Sequence, residues 1–208
     1  MRILMYAVLA TAVTVATLWW TIPVSDAADA EAPPGKAHAV LAGGCFWCME
    51  ADFEKLTGVQ EVVSGYAGGT VQNPTYKQVA YGKTDHVEAV RITYDPSVVD
   101  FDALLAHFWK NIDPTVDDRQ FCDTGRHYRP VIFYLDEDQQ RAAEASRQAI
   151  VDAGEVSPIK VTIESVDQFW VAEDYHQDYY KKNPLRYNYY RFSCGRDARL
   201  KELWGEDA

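Results

Sequence analysis

Residues 38–50 read His38-Ala39-Val40-Leu41-Ala42-Gly43-Gly44-Cys45-Phe46-Trp47-Cys48-Met49-Glu50. A short apolar run ends at a glycine pair, and from Cys45 to Leu56 the residues Phe46, Met49, Phe53 and Leu56 recur on one helical face. The stretch predicts a strand, a glycine turn and a helix, with Cys45 in the first helical turn. Backbone N–H groups at a helix start are unpaired and carry partial positive charge, so they favour a thiolate there. Gly43 and Gly44 let the backbone approach a substrate closely. The residues alone leave three other readings open. Cys45 can be half of a structural disulfide or an inert core thiol. Cys45-Phe46-Trp47-Cys48 can be the redox pair of a thioredoxin-like oxidoreductase, and with Cys122 and Cys194 the cysteines can form a zinc site, although the paired spacing usual for zinc is missing.

Outward from this stretch, strands and helices alternate. Val59 to Tyr66 reads as a strand ending near Gly68-Gly69, and a loop through Asn73-Pro74 follows. In Val87 to Tyr94, one side carries Val87, Ala89, Arg91 and Thr93 and the other Glu88, Val90, Ile92 and Tyr94, which is a strand by period two. Asp100 is positioned to cap a helix bearing Leu104, Leu105, Phe108 and Trp109. A long polar loop is expected over 111–125, a strand over 130–135, a helix over 136–153 stopped by Gly154, and a last strand over 160–164. The expected fold class is an α/β (α+β) sandwich: a mixed sheet with helices packed on it, a ferredoxin-like core and a long irregular C-terminal segment.

The 208 residues suit one catalytic domain, and 48% hydrophobic residues with 13% aromatics argue for a packed core. Residues 3–24 carry no charge, follow Arg2 and lead into Ser25-Asp26-Ala27-Ala28, the layout of an export signal or an uncleaved membrane anchor. Residues 1–27 are therefore expected to be a signal peptide or anchor, 28–37 a flexible tether and 38–208 the catalytic domain. A periplasmic or secreted location follows, with a tether to the membrane if the segment is not cleaved. The net charge of −11 is unchanged by removing 1–27, because Arg2 and Asp26 cancel. An acidic body without basic clusters argues against nucleic acid.

Several further motifs stand in order. They are Gly43-Gly44-Cys45-Phe46-Trp47, Ser64-Gly65-Tyr66-Ala67-Gly68-Gly69, Asn73-Pro74-Thr75-Tyr76, His86-Val87-Glu88-Ala89-Val90, Tyr94-Asp95-Pro96, Asp123-Thr124-Gly125-Arg126-His127-Tyr128-Arg129, Tyr175-His176-Gln177-Asp178-Tyr179 and Lys182-Asn183-Pro184. Together, over roughly 38–196, they closely resemble the A type of peptide methionine sulfoxide reductase.

The resemblance implies reduction of methionine S-sulfoxide, protein-bound and free. Cys45 attacks the sulfoxide sulfur and Glu88 protonates its oxygen, since an unprotonated oxide is a poor leaving group. By the same resemblance Tyr76 and Tyr128 are phenol donors, Asp123 completes a polar wall, and Phe46 with Trp47 forms an aromatic wall for the substrate's methyl group. Attack leaves a sulfenic acid on Cys45. Cys194 is the expected resolving thiol and Cys48 the second choice, because one turn of rigid helix is expected to hold Cys45 and Cys48 in poor disulfide geometry. Cys122 stands where the family's commonest pattern has an amide residue, and this opens a relay through Cys122. No cofactor and no metal are implied. The partner is thioredoxin or a periplasmic thioredoxin-like dithiol, and a monomer is expected.

Overall fold

The computed structural model describes residues 32–205. The expected export segment and residues 28–31 of the tether lie outside the described residues. Among the described residues, no helix is long and apolar enough to cross a membrane.

The chain runs β1 (Ala37–Ala42), α1 (Phe46–Phe53), β2 (Val59–Ala67), α2 (Tyr76–Ala80), β3 (Val87–Tyr94), α3 (Phe101–Lys110), β4 (Arg119–Gln120), β5 (Asp123–Thr124), a 3-10 turn (Arg126–Tyr128), β6 (Val131–Tyr134), α4 (Glu137–Ala153), β7 (Thr162–Ser165), β8 (Phe169–Val171), α5 (Tyr179–Lys182), α6 (Pro184–Ser193) and α7 (Arg196–Trp204). Six strands form one sheet in the order β7-β6-β1-β3-β2-β8, and β4 pairs with β5 alone. The central order β6-β1-β3-β2 is antiparallel at each step. This is the ferredoxin-like core, with β7 added parallel to β6 and β8 antiparallel to β2.

The sheet has to curl. β7 and β8 occupy opposite edges yet are joined by residues 166–168 alone. Four Cα steps reach at most about 15 Å, whereas six flat strands would span about 24 Å. Bending the edges toward one another gives the sheet a concave inner face, filled by Val40, Ala42, Ala67, Val87, Ala89, Val131, Phe133 and Phe169. The outer face carries the larger core, in which Leu41, Val90, Ile92 and Ile132 meet Phe46, Met49 and Phe53 of α1 and Leu104, Leu105 and Phe108 of α3. The period-two pattern of β3 sorts its residues between these cores, so Glu88 shares the helix-covered face with Val90 and Ile92.

Helices α3 and α4 are capped as their sequences predict. Asp100 accepts from the Ala103 N–H at 2.8 Å and Asp136 from the Gln139 N–H at 2.8 Å, while Gly154 ends α4 in the left-handed conformation at φ +65°. Other details differ from expectation. α1 stops at Phe53, short of Leu56. The polar loop contains the β4–β5 ribbon, and β8 was not anticipated, since three residues are too short to show alternation. The long C-terminal segment, expected to be irregular, is broken into three short helices. Pro184 at the first position of α6 and Gly195 before α7 mark their starts.

Candidate active site

β1 delivers the chain to Gly43-Gly44, and both glycines are sterically required. A Cβ on Gly43 would stand 2.5 Å from the Met49 sulfur, and one on Gly44, at φ +89°, would stand 2.5 Å from Cβ of Gln120. The turn places Cys45 as the N-cap of α1, with its carbonyl accepting from the N–H groups of Cys48 (3.1 Å) and Met49 (3.3 Å). Cys45 is only 6% exposed.

A cavity of about 200 Å³ lies over Cys45, lined by Cys45, Phe46, Trp47, Tyr76, Glu88, Asp123, Tyr128 and Tyr190. The structure thus brings together Cys45, Glu88, Tyr76, Tyr128, Asp123, Phe46 and Trp47. It leaves Cys48 and Cys194 outside the lining. Tyr190 joins it without having been anticipated from sequence.

Glu88 is 2% exposed and accepts the Phe46 N–H at 3.1 Å. Burial pushes its carboxyl group up to about 8, a shift that this hydrogen bond only partly offsets. Near neutrality it is mostly a protonated acid facing the cavity. Burial, and after it Glu88, push the Tyr76 hydroxyl up to about 12, a shift that Tyr128 beside it partly offsets. The Tyr76 N–H is held by Glu173 at 2.9 Å, and the other Glu173 oxygen accepts from Tyr66 at 2.8 Å. Asp123 accepts from the Tyr190 hydroxyl, and burial raises its carboxyl above the usual range.

The aromatic wall is built by stacking. The Trp47 ring lies flat on Tyr179 at 3.7 Å, meets Tyr190 edge-on at 5.9 Å and donates its indole N–H to Nδ1 of His176 at 3.1 Å. Burial lowers His176 to about 4, so it stays a neutral acceptor. The segment that supplies these partners is stitched to β2 and α1. The Gln177 side chain accepts from the Ser64 N–H and donates to the Ser64 carbonyl, and Glu50 accepts from Ser64 Oγ (2.7 Å) and from the Asp178 N–H (2.6 Å). Glu173, His176 and Gln177 were not assigned roles from sequence, although two of them lie in a motif that the resemblance singled out.

Burial, followed by Cys48 and Glu88, pushes the Cys45 thiol above the ordinary range. The lowered thiol is Cys48, brought to about 7 by the hydrogen bond from Cys45 and by Arg196 and Arg191. Cys194, the expected resolving thiol, is joined to Cys122 in a disulfide, and Cys45 and Cys48 are free thiols. Among the described residues the structure holds one disulfide and two free thiols.

Comparison with known proteins follows the same lines. The family model described as peptide methionine sulfoxide reductase matches residues 37–208. The peptide methionine sulfoxide reductase MsrA/MsrB of Vibrio cholerae is 52% identical over 82% of this chain, which spans 45% of that protein's length. MsrA 2 of Staphylococcus aureus is 51% identical over 82% of this chain and 97% of its own. Among solved structures, methionine sulfoxide reductase A of Corynebacterium diphtheriae superposes with a TM-score of 0.68 at 34% identity, covering 74% of this chain and 77% of that one. Reduced Mxr1 of Saccharomyces cerevisiae gives 0.68 at 30% identity, covering 74% and 90%, and Mxr1 has also been solved in complex with Trx2. On the match of the family model over 37–208 and on these identities, the chain belongs to the peptide methionine sulfoxide reductase family.

Proposed function

We propose that the chain reduces methionine S-sulfoxide to methionine, with Cys45 as nucleophile and Glu88 as acid. One observation carries this reading above the others: a buried carboxyl group held protonated near neutrality shares a 200 Å³ cavity with a free thiol and two phenols. A thiol cannot displace oxygen from sulfur unless that oxygen is protonated, and Glu88 supplies this proton. Tyr76 and Tyr128 donate hydrogen bonds as negative charge develops on the oxygen. Phe46 and Trp47 offer an apolar wall that suits a methyl group and rejects a charged one.

The step balances without an outside proton source. Glu88 gives its proton to the sulfoxide oxygen and Cys45 bonds to the sulfur as its own proton passes to Glu88; the hydroxyl then passes from that sulfur to Sγ of Cys45 as the bond between the two sulfurs breaks. Thiol plus sulfoxide becomes sulfenic acid plus thioether. A second thiol then expels water from the sulfenic acid to give a disulfide, and an external dithiol of the thioredoxin type restores the thiols. The solved complex of Mxr1 with Trx2 supports a partner of that class.

The apolar run after Arg2 supports export, so the working place of the enzyme is the periplasm or the exterior and its reductant is a thioredoxin-like dithiol of that compartment. Cell fractionation with N-terminal sequencing checks this; a cytosolic chain retaining Met1 would contradict it. The activity itself is checked by giving separate S and R epimers of a peptide methionine sulfoxide to the enzyme with excess dithiol. Only the S epimer is expected to disappear. Consumption of neither epimer, with protein disulfides reduced instead, would favour an oxidoreductase built on Cys45 and Cys48.

A further inference from the structure

The two epimers of a methionine sulfoxide carry the same oxygen and the same methyl group, so a cavity that takes only one epimer must sort these groups by place. We infer that His176 is a positioning residue that enforces the sorting: by accepting the indole N–H of Trp47 it leaves the aromatic wall without a free donor, so the oxygen of the R epimer finds no partner there. The inference rests on the assigned reduction of the S epimer and names what excludes the other.

The sulfoxide sulfur bears the oxygen, the methyl group, a lone pair and the methylene that leads to the peptide. With the sulfur against Cys45 and the methylene running outward, inverting the configuration exchanges oxygen and methyl. The methyl group of the R epimer then meets Glu88, Tyr76 and Tyr128, and its oxygen meets Phe46 and Trp47. An oxygen buried without a hydrogen bond weakens binding by about tenfold or more, provided that the wall offers it no N–H.

The donors of the cavity are distributed to meet that condition. Glu88 acts on both phenols, Tyr76 and Tyr128, and the three form one group with protons to donate. Apart from the Cys45 thiol, the other lining side chains with a proton to donate are Trp47 and Tyr190. Both are engaged within the protein, the Tyr190 hydroxyl by Asp123 and the Trp47 indole by Nδ1 of His176 at 3.1 Å. His176 stands outside the lining, so its bond turns the indole N–H away from the cavity. Flat stacking on Tyr179 at 3.7 Å holds the plane of the indole, and the His176 bond decides which edge carries the N–H.

The surroundings of His176 fit an acceptor. The residue is 2% exposed, its ring packs against Phe46 at 4.9 Å, Tyr76 at 4.5 Å and Tyr175 at 4.1 Å, and its backbone N–H is fixed on the Glu173 carbonyl at 2.8 Å. A neutral imidazole that accepts at Nδ1 carries its proton on Nε2, and Nε2 is buried with no hydrogen-bond partner among the described residues. A second proton would have to sit on Nδ1 and displace the Trp47 bond. Burial opposes that charge and outweighs the pull of Glu173, so the ring stays an acceptor near neutrality.

The test gives the whole chain, with excess dithiol, the separate S and R epimers of a peptide methionine sulfoxide. Wild type is expected to reduce S and to bind R too weakly for R to slow it. His176→Phe keeps the ring and removes the acceptor, so R should inhibit the reduction of S about tenfold or more strongly than in wild type. His176→Asn, whose Oδ1 takes the place of Nδ1, should return R inhibition to the wild-type level. Adding Trp47→Phe to His176→Phe removes the freed N–H and should do the same, which a merely structural defect at His176 would not allow. Heteronuclear NMR of the imidazole nitrogens in wild type needs no variant, and a bare Nδ1 with a protonated Nε2 is expected. A protonated Nδ1, R inhibition unchanged in His176→Phe, or R inhibition that persists in the Asn or the double variant would overturn the inference and leave the activity intact. Reduction of neither epimer by wild type would instead defeat the assigned activity.

Discussion

The two halves of the site are held in place by different forces. Cys45 and Glu88 sit on the β1–α1 turn and on β3, anchored by the apolar core that fills both faces of the curled sheet. Tyr190 lies on α6 and Cys194 is its C-cap; the exposed face of α6 carries Leu185, Tyr189 and Phe192, and its inner face adds to a small apolar cluster of Tyr187, Cys48 and Ala51 a set of polar clamps. Chief among these is Asp52, 3% exposed, whose two oxygens accept from Nη1 of Arg191 at 3.0 and 2.9 Å with Arg196 at 3.7 Å. Burial alone would raise Asp52, but Arg196 and Arg191 outweigh it and keep the carboxyl below its usual range. Attack needs a rigid geometry, which the large core supplies, whereas the C-terminal segment rests on a smaller apolar cluster and a few strong polar contacts.

The comparison can be broken most severely at Cys45. Cys45→Ser is expected to leave the fold intact and to lower methionine formation about 10⁴-fold or more, measured by chromatography of the product. The clamp can be broken next. Asp52→Asn leaves Arg196 buried without its counter-charge and Arg191 with Asp197 alone, at a cost of about 3–5 kcal/mol in a denaturant titration. Its pH dependence has a definite sign. A carboxyl group held low in the folded state stabilises above its unfolded value near 3.9 and ceases to do so as the pH falls through its folded value. Wild type should therefore lose more stability than the Asn variant on acidification below about pH 4. The smallest of these effects lies in the anchored half: Gly44→Ala, forced to positive φ against Gln120, should cost about 1–3 kcal/mol.

Sequence made the anchored half readable because burial leaves periodic marks. The alternation in Val87 to Tyr94 put Glu88 on the same side as Val90 and Ile92, and the pattern from Phe46 to Phe53 placed Cys45 at a helix start. Nothing periodic marks a clamp such as Asp52 with Arg191 and Arg196, whose members lie about 140 residues apart in the chain. The pairing of Cys122 with Cys194 was hidden for the same reason. The neighbours of the two thiols were equally hidden: burial and Cys48 push Cys45 up, while the arginines of the C-terminal segment act on Cys48.

The pairing of sulfur 45 with the acid at 88 is tested most directly by the pH dependence of a single turnover, followed by rapid quench from the reduced enzyme, in wild type and in Glu88→Gln. Wild type is predicted to lose rate as the pH rises through about 8, where Glu88 gives up its proton. The glutamine variant should be slower by about 10²–10⁴-fold and show no such decline. A glutamine variant that keeps the wild-type rate and the same alkaline limb would contradict the account.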